Sequence, residues 1–98
     1  MNNQLQEICQ SLRQLLPVIA EEYQVKSIGV FGSFVRQEQR ADSDLDLLVA
    51  FVDPPGLFRF IELENYLSDR LGLQVDLVMQ DALKPALGVQ ILQEVVPV

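Results

Sequence analysis

The stretch FGSFVRQEQRADSDLDLLVAF, residues 31–51, sets Asp42, Asp44 and Asp46 at alternate positions and then runs into Leu47, Leu48, Val49, Ala50 and Phe51. Residues 44–52 read as a strand, whose side chains alternate faces. Asp44 and Asp46 then share one face, and Leu45, Leu47 and Val49 share the other. Beyond Asp46 the acidic face also turns apolar, with Leu48 and Ala50. A strand that is apolar on both faces belongs inside a sheet. Here only its mouth is acidic.

The flanking elements follow from periodicity. Residues 3–23 place Leu5, Ile8, Leu12, Leu15, Leu16 and Ile19 on one helical stripe. Pro17 interrupts it and predicts a kink or two abutting helices. Cys9 lies beside the stripe and reads as a small hydrophobe at the core's edge. Residues 26–31, KSIGVF, read as a short strand ending at Gly32. Ser33 is then expected to cap a short helix through Arg36 and Glu38, with residues 40–43 as the loop out. Asp53-Pro54-Pro55-Gly56 stops the acidic-mouthed strand. Residues 57–71 read as a helix with Leu57, Phe60, Ile61, Leu63 or Glu64, Tyr66 or Leu67, and Leu71 around its buried side, and Gly72 ends it. Residues 73–79 alternate as a third strand, with Asp76 breaking its second face. The tail, residues 81–96, holds Pro85 and a weaker helical pattern through Leu87, Ile91 and Val95. The expected fold class is mixed α/β (α+β), a small mixed sheet backed by helices, in one domain over residues 1–98.

Composition narrows the chemistry. The chain has 98 residues, 49% of them apolar and 21% charged, with a net charge of −7. Scattered basic residues on an acidic chain argue against direct nucleic-acid binding, which needs clustered Lys and Arg. One cysteine and no histidine exclude an internal disulfide, His/Cys zinc sites and His-based nucleophilic triads. Any metal must be held by oxygen. No apolar run reaches the ~20 residues of a membrane span, and the first residues lack a signal-peptide pattern, so a cytoplasmic location is expected.

If the second and third strands are neighbours, Asp44, Asp46 and Asp76 converge. Such a cluster repels itself: two like charges ~4 Å apart cost roughly 4 kcal/mol at an effective dielectric near 20. Protonation, pairing with Arg36 or Arg40, or a bound cation would relieve it. An all-carboxylate set suits Mg²⁺ or Mn²⁺, and three carboxylates match a two-metal site acting on phosphoryl oxygens. Ordinary turn chemistry also accounts for Asp-Ser-Asp at a strand entry. Gly32-Ser33, between a strand and a helix, offers backbone N–H groups and a hydroxyl to phosphate.

Gly32-Ser33, ten residues, then Asp44-Leu45-Asp46, with Asp76 on a later strand, resembles the DNA polymerase β-like nucleotidyltransferase superfamily. More closely, the chain resembles the minimal nucleotidyltransferases, antitoxin partners of HEPN-domain RNase toxins. The likeness runs through VFGSFVRQEQRADSDLDLLVAF, PPGLFRFIELENYL and VDLVMQDALKPALGVQILQEVVPV, nearly the whole chain. It implies the polymerase β-like fold and two Mg²⁺ ions on Asp44 and Asp46. Asp76 would complete the catalytic triad and help activate the attacking hydroxyl. Gly32 and Ser33 would hold the β and γ phosphates of ATP. Arg36 falls on the family's arginine, with two roles open: touching phosphate or bracing the carboxylates. The implied reaction is AMPylation, the transfer of AMP to a Tyr hydroxyl on the partner toxin.

Two positions depart from the family's pattern. Gln37 stands where Gly often follows the arginine, and Gln39 where a small residue is common. A Gly there would serve a turn with positive φ, so Gln37 implies strain or a different turn. These departures leave room for a non-catalytic antitoxin that neutralises the toxin by contact. A small-molecule nucleotidyltransferase is a third reading, but it needs an acceptor pocket that a dimer would have to supply. A chain this short has no second domain to grip an acceptor, so a partner is expected to present its own hydroxyl, in a homodimer or hetero-oligomer. Leu57 and Phe58, after the Pro-Pro-Gly turn, are the candidate contact residues, while Phe60 reads as core.

Overall fold

The structure, a computed structural model, describes residues 4–98, with Leu87 by its backbone only. The expected helix start at residue 3 and the part of Leu87 in the tail pattern lie outside the described residues. The elements are α1 (Gln4–Tyr23), β1 (Val25–Phe31), α2 (Ser33–Arg36), β2 (Leu45–Phe51), α3 (Leu57–Leu71), β3 (Val75–Met79), a 3-10 turn (Gln80–Ala82), α4 (Pro85–Glu94) and β4 (Val96–Pro97).

The four strands form one mixed sheet in the order β3-β2-β1-β4. β1 pairs antiparallel with β2 and with β4, whereas β2 and β3 run parallel. β2 is thus internal, as its two apolar faces require. Leu45, Leu47 and Val49 are fully buried on one face against Leu12 and Ile19 of α1 and Leu63 and Leu67 of α3. The opposite face carries a smaller cluster of Phe31, Leu48 and Ile91, so α4 covers part of the face that bears the aspartates. Among the described residues, no helix is long and apolar enough to cross a membrane.

Several local expectations are corrected. Of the two alternatives at Pro17, two abutting helices are excluded, because α1 is one helix through it. Pro17 and Arg13 are both exposed, so the carbonyl left without an N–H partner faces water. β2 begins at Leu45, with Asp44 just outside it, and β3 begins at Val75. Gly72 caps α3 in the left-handed region (φ +68) and delays the strand, although Leu45 N–H already donates to the Gln74 carbonyl at 2.8 Å. On α3 the buried seam is Leu63 and Leu67, flanked by partly buried Phe60, Tyr66 and Leu71. Leu57, in the opening turn, is 69% exposed, and Ile61 also faces solvent.

Two α3 side chains reach the outer border of β3. Ser68 Oγ accepts the Val75 N–H at 3.0 Å, and Glu64 Oε2 accepts the Leu77 N–H at 2.9 Å. At the sheet's other end, β4 is placed by Gly29. A Cβ there would lie 2.7 Å from a Val95 methyl and 3.1 Å from the Val96 carbonyl, so the bare glycine lets the end of α4 rest on β1.

Candidate active site

The register of the sheet builds the acidic mouth. Phe31 is directly across from Asp46, and Asp46 is directly across from Asp76. Asp46, Asp76 and the last residue of β1 therefore stand side by side on one face. The chain leaves β1 through Gly32, whose φ of +83 and ψ of −151 are open only to glycine at low cost. Space makes the same demand: a Cβ at residue 32 would fall 2.1 Å from Asp46 Oδ2. The Asp46 carboxylate thus lies directly against the bare Cα of Gly32.

These groups line one cleft of about 410 Å³ with Arg36, apolar walls of Phe31, Val78, Leu83 and Ile91, and the polar side chains of Gln90 and Glu94. Of the residues picked out by sequence, Gly32, Arg36, Asp46 and Asp76 line it. Ser33 and Asp44 adjoin it in the chain without lining it. Ser33 does not act as the helix cap: Gly32 is the N-cap, and no side chain caps α2. Gln37 and Gln39 lie outside the cleft. Gln37 occupies the left-handed region at φ +59 and ψ +38, so this non-glycine residue holds the conformation for which glycine is favoured. Gln39 turns to α1, where its amide donates to Gln4 Oε1 at 3.1 Å.

The electrostatics are those of uncompensated acids. Burial, then the charges of Asp76 and Asp44, push the Asp46 carboxyl up to about 6, with Arg36 acting against them and Glu94 with them. Among the described residues no ion pair includes Asp44, Asp46 or Asp76. Arg36 instead meets Glu38 Oε1 through Nε at 2.8 Å and Glu94 Oε1 through Nη1 at 2.7 Å. Glu94 Oε2 also accepts the Gly32 N–H at 3.0 Å. The Arg36 hydrogen bond is the main force holding the Glu94 carboxyl below its ordinary range.

The donor set fits a hard divalent cation: carboxylate oxygens alone, presented by adjacent strands at one register, with no basic side chain paired to them. No three acidic or thiol side chains among the described residues are already gathered into a coordination shell, as expected for like charges that repel. Glu94 is the site residue that sequence reading missed. It sits 62 positions from Gly32, and its signal was a lone acid within the apolar run ILQEVVPV.

Comparison with known proteins agrees with this geometry. The family described as Nucleotidyltransferase domain matches residues 12–98. Protein adenylyltransferase MntA of Thermococcus cleftensis is 49% identical over 92 residues, covering 94% of this chain and 93% of that protein. The solved structure of a candidate minimal nucleotidyltransferase is 37% identical with a TM-score of 0.78, and 94% of each chain is covered. A chain from a toxin–antitoxin crystal structure with AMP-PNP is 25% identical with a TM-score of 0.75, over 90% of this chain and 69% of that one. With a family match over most of its length and a minimal nucleotidyltransferase fold, this chain belongs to the nucleotidyltransferase domain family.

Proposed function

We propose that this chain transfers AMP from ATP to a Tyr hydroxyl of a HEPN-class RNase toxin in the cytoplasm, silencing the toxin as its antitoxin. The observation that carries the reading is the contact between Gly32 and Asp46, with Asp76 directly across from Asp46. This supports a reading in which the strand-to-helix corner at Gly32 and the paired carboxylates serve one site in the same cleft. The name of the MntA relative and the nucleotide analogue in the toxin–antitoxin structure support the same substrate class.

In this reading Asp44, Asp46 and Asp76 would hold two Mg²⁺ ions, which neutralise phosphate charge and lower the barrier to displacement at phosphorus. Gly32 N–H and the Ser33 hydroxyl bind the β and γ phosphates and set the α-phosphorus toward the acids. Arg36 takes the role of a phosphate contact. The acceptor hydroxyl oxygen forms the new P–O bond as the bond to the β-phosphate breaks and pyrophosphate leaves. The hydroxyl proton passes to the Asp76 carboxylate. The apolar walls Val78, Leu83 and Ile91 exclude water from the nucleotide. Phe58 and Leu57, 86% and 69% exposed, offer the partner an apolar contact. Burial of such side chains would help hold the acceptor in line.

The test is a thermal melt with Mg²⁺ and ATP, run beside a D44N/D46N variant, followed by labelling of a co-expressed HEPN toxin with radioactive ATP. Ligand at ~100 times its Kd adds about 2.7 kcal/mol, on the order of 10 °C for a domain of this size. A metal-dependent rise in the wild type alone, with label on the toxin, is expected. Toxin neutralised without label or thermal shift would replace this reading with antitoxin action by contact.

A further inference from the structure

Arg36 and the Gly32 N–H are the chain's own groups for an anion beside the acidic cleft, and both are engaged by one side chain. The Glu94 carboxylate spans them, with Oε2 on the Gly32 N–H at 3.0 Å and Oε1 on Arg36 Nη1 at 2.7 Å. A carboxylate across a backbone N–H and a guanidinium uses the same donors as a phosphate oxygen pair. The Gly32 N–H has one hydrogen to give, so a phosphate and Glu94 compete for it.

The fold fixes where Glu94 starts and limits how it can leave. Val95 rests on the bare Gly29. Val96 and Pro97 pair with Val30 and Gly29 of β1, and Val98 N–H donates to the Ile28 carbonyl at 3.1 Å. Glu94 is therefore held at the end of α4 by an anchored tail. Any departure of its carboxylate is therefore a rotation of side-chain torsions about a fixed backbone. Arg36 is half exposed, with a side-chain accessibility of 50%, and can turn from one anion to another.

We propose that Glu94 is a gate on the nucleotide site. Its carboxylate occupies the phosphate corner in the nucleotide-free protein and swings away when a polyphosphate enters. This rests on the nucleotide reading above and adds a regulatory element to it. The gate sets a threshold, because an incoming anion must replace two charge-assisted contacts and repel a resident negative charge. A metal-bound triphosphate meets that threshold through contacts further along the cleft, and isolated phosphate does not. A corner closed nine parts in ten weakens apparent affinity about tenfold.

The experiment is calorimetric titration of the full chain with Mg²⁺-tripolyphosphate and with Mg²⁺-ATP, comparing wild type, Glu94→Gln and Glu94→Asp. Circular dichroism checks that each variant is folded. Gln keeps the volume and an oxygen acceptor but removes the charge. Asp keeps the charge but is one methylene too short to span both donors. Three- to tenfold tighter binding of both ligands by Glu94→Gln is expected, with Glu94→Asp intermediate. In ¹⁵N spectra, tripolyphosphate should move the Gly32 amide of the wild type toward its position in the liganded Gln variant. If Glu94 only fastens α4 to α2, the variants bind equally or more weakly, and the gate is overturned. Should Gln fail to fold, Asp alone decides by the same comparison. If wild type and variants all fail to bind either ligand at millimolar concentration, the nucleotide reading falls, and the gate falls with it.

Discussion

Replacing Asp46 with asparagine should stabilise the metal-free protein while destroying its metal-dependent behaviour. The Asp46 carboxyl is raised from 3.8 to about 6. At 1.36 kcal/mol for each pKa unit, that shift corresponds to about 3 kcal/mol between the protonated and ionised forms. Asp46 is only partly buried, so solvent screening reduces the usable figure to about 1–1.5 kcal/mol. A raised carboxyl pKa contributes stability below pH 3.8, and that contribution is lost as pH rises through 6. In EDTA at pH 7.5, Asp46→Asn should therefore melt roughly 5–10 °C above wild type. The gap should narrow toward pH 5 as wild-type Asp46 takes up its proton. Glu94, with its lowered pKa, loses its contribution only below its unfolded value of 4.5, so it does not distort this window. Differential scanning calorimetry in half-unit pH steps gives the comparison. Mg²⁺ should raise the wild-type melting temperature and leave the variant unmoved. A variant that melts at or below wild type in EDTA at pH 7.5, or a gap constant from pH 5 to 7.5, would refute the claim that uncompensated charge at Asp46 strains the fold.

Two further outcomes rest on single backbone observations. Gln37→Gly relieves a left-handed non-glycine residue at φ +59 and should stabilise the chain by about 0.5–1 kcal/mol in urea denaturation at unchanged m-value. Glu64→Ala removes the acceptor of the Leu77 N–H and should cost about 1–2 kcal/mol. Faster hydrogen exchange at Leu77 would locate that loss, with Leu63 and Leu67 amides protected as before.

How much of this was legible in the chain varies by element. β2 announced both its central place and its acidic mouth, because alternation assigns faces without knowledge of neighbours. The α3 limits, residues 57–71, were set by Pro-Pro-Gly before and Gly72 after, and the structure places the helix there. Strand order was not legible, so the convergence of Asp46 and Asp76 could only be stated conditionally until the parallel register supplied it. The demand for glycine at 32 came from two sources. The motif was visible, whereas the collision with Asp46 Oδ2 depends on β1–β2 register. β4, two residues ending in proline, is too short for any period to reveal. The positive φ of Gln24 is likewise invisible in composition, since glutamine does not favour that region, whereas that of Gln37 was signalled only by the glycine that relatives often carry there. Glu94 was missed because its partners are brought to it by β4, the element that sequence could not supply.

The two borders of the sheet decide how another protein can join this one. On the β3 side the outward N–H groups of Val75 and Leu77 are already occupied by Ser68 and Glu64. On the β4 side only two residues are presented, and Pro97 has no N–H to give. Both borders thus offer an incoming strand fewer free N–H groups than a bare edge would. Docking by an added strand is correspondingly disfavoured at these positions, and the exposed side chains of Leu57 and Phe58 offer a different kind of contact. The same occupied N–H groups lower the tendency of copies of this apolar-cored chain to pair edge to edge.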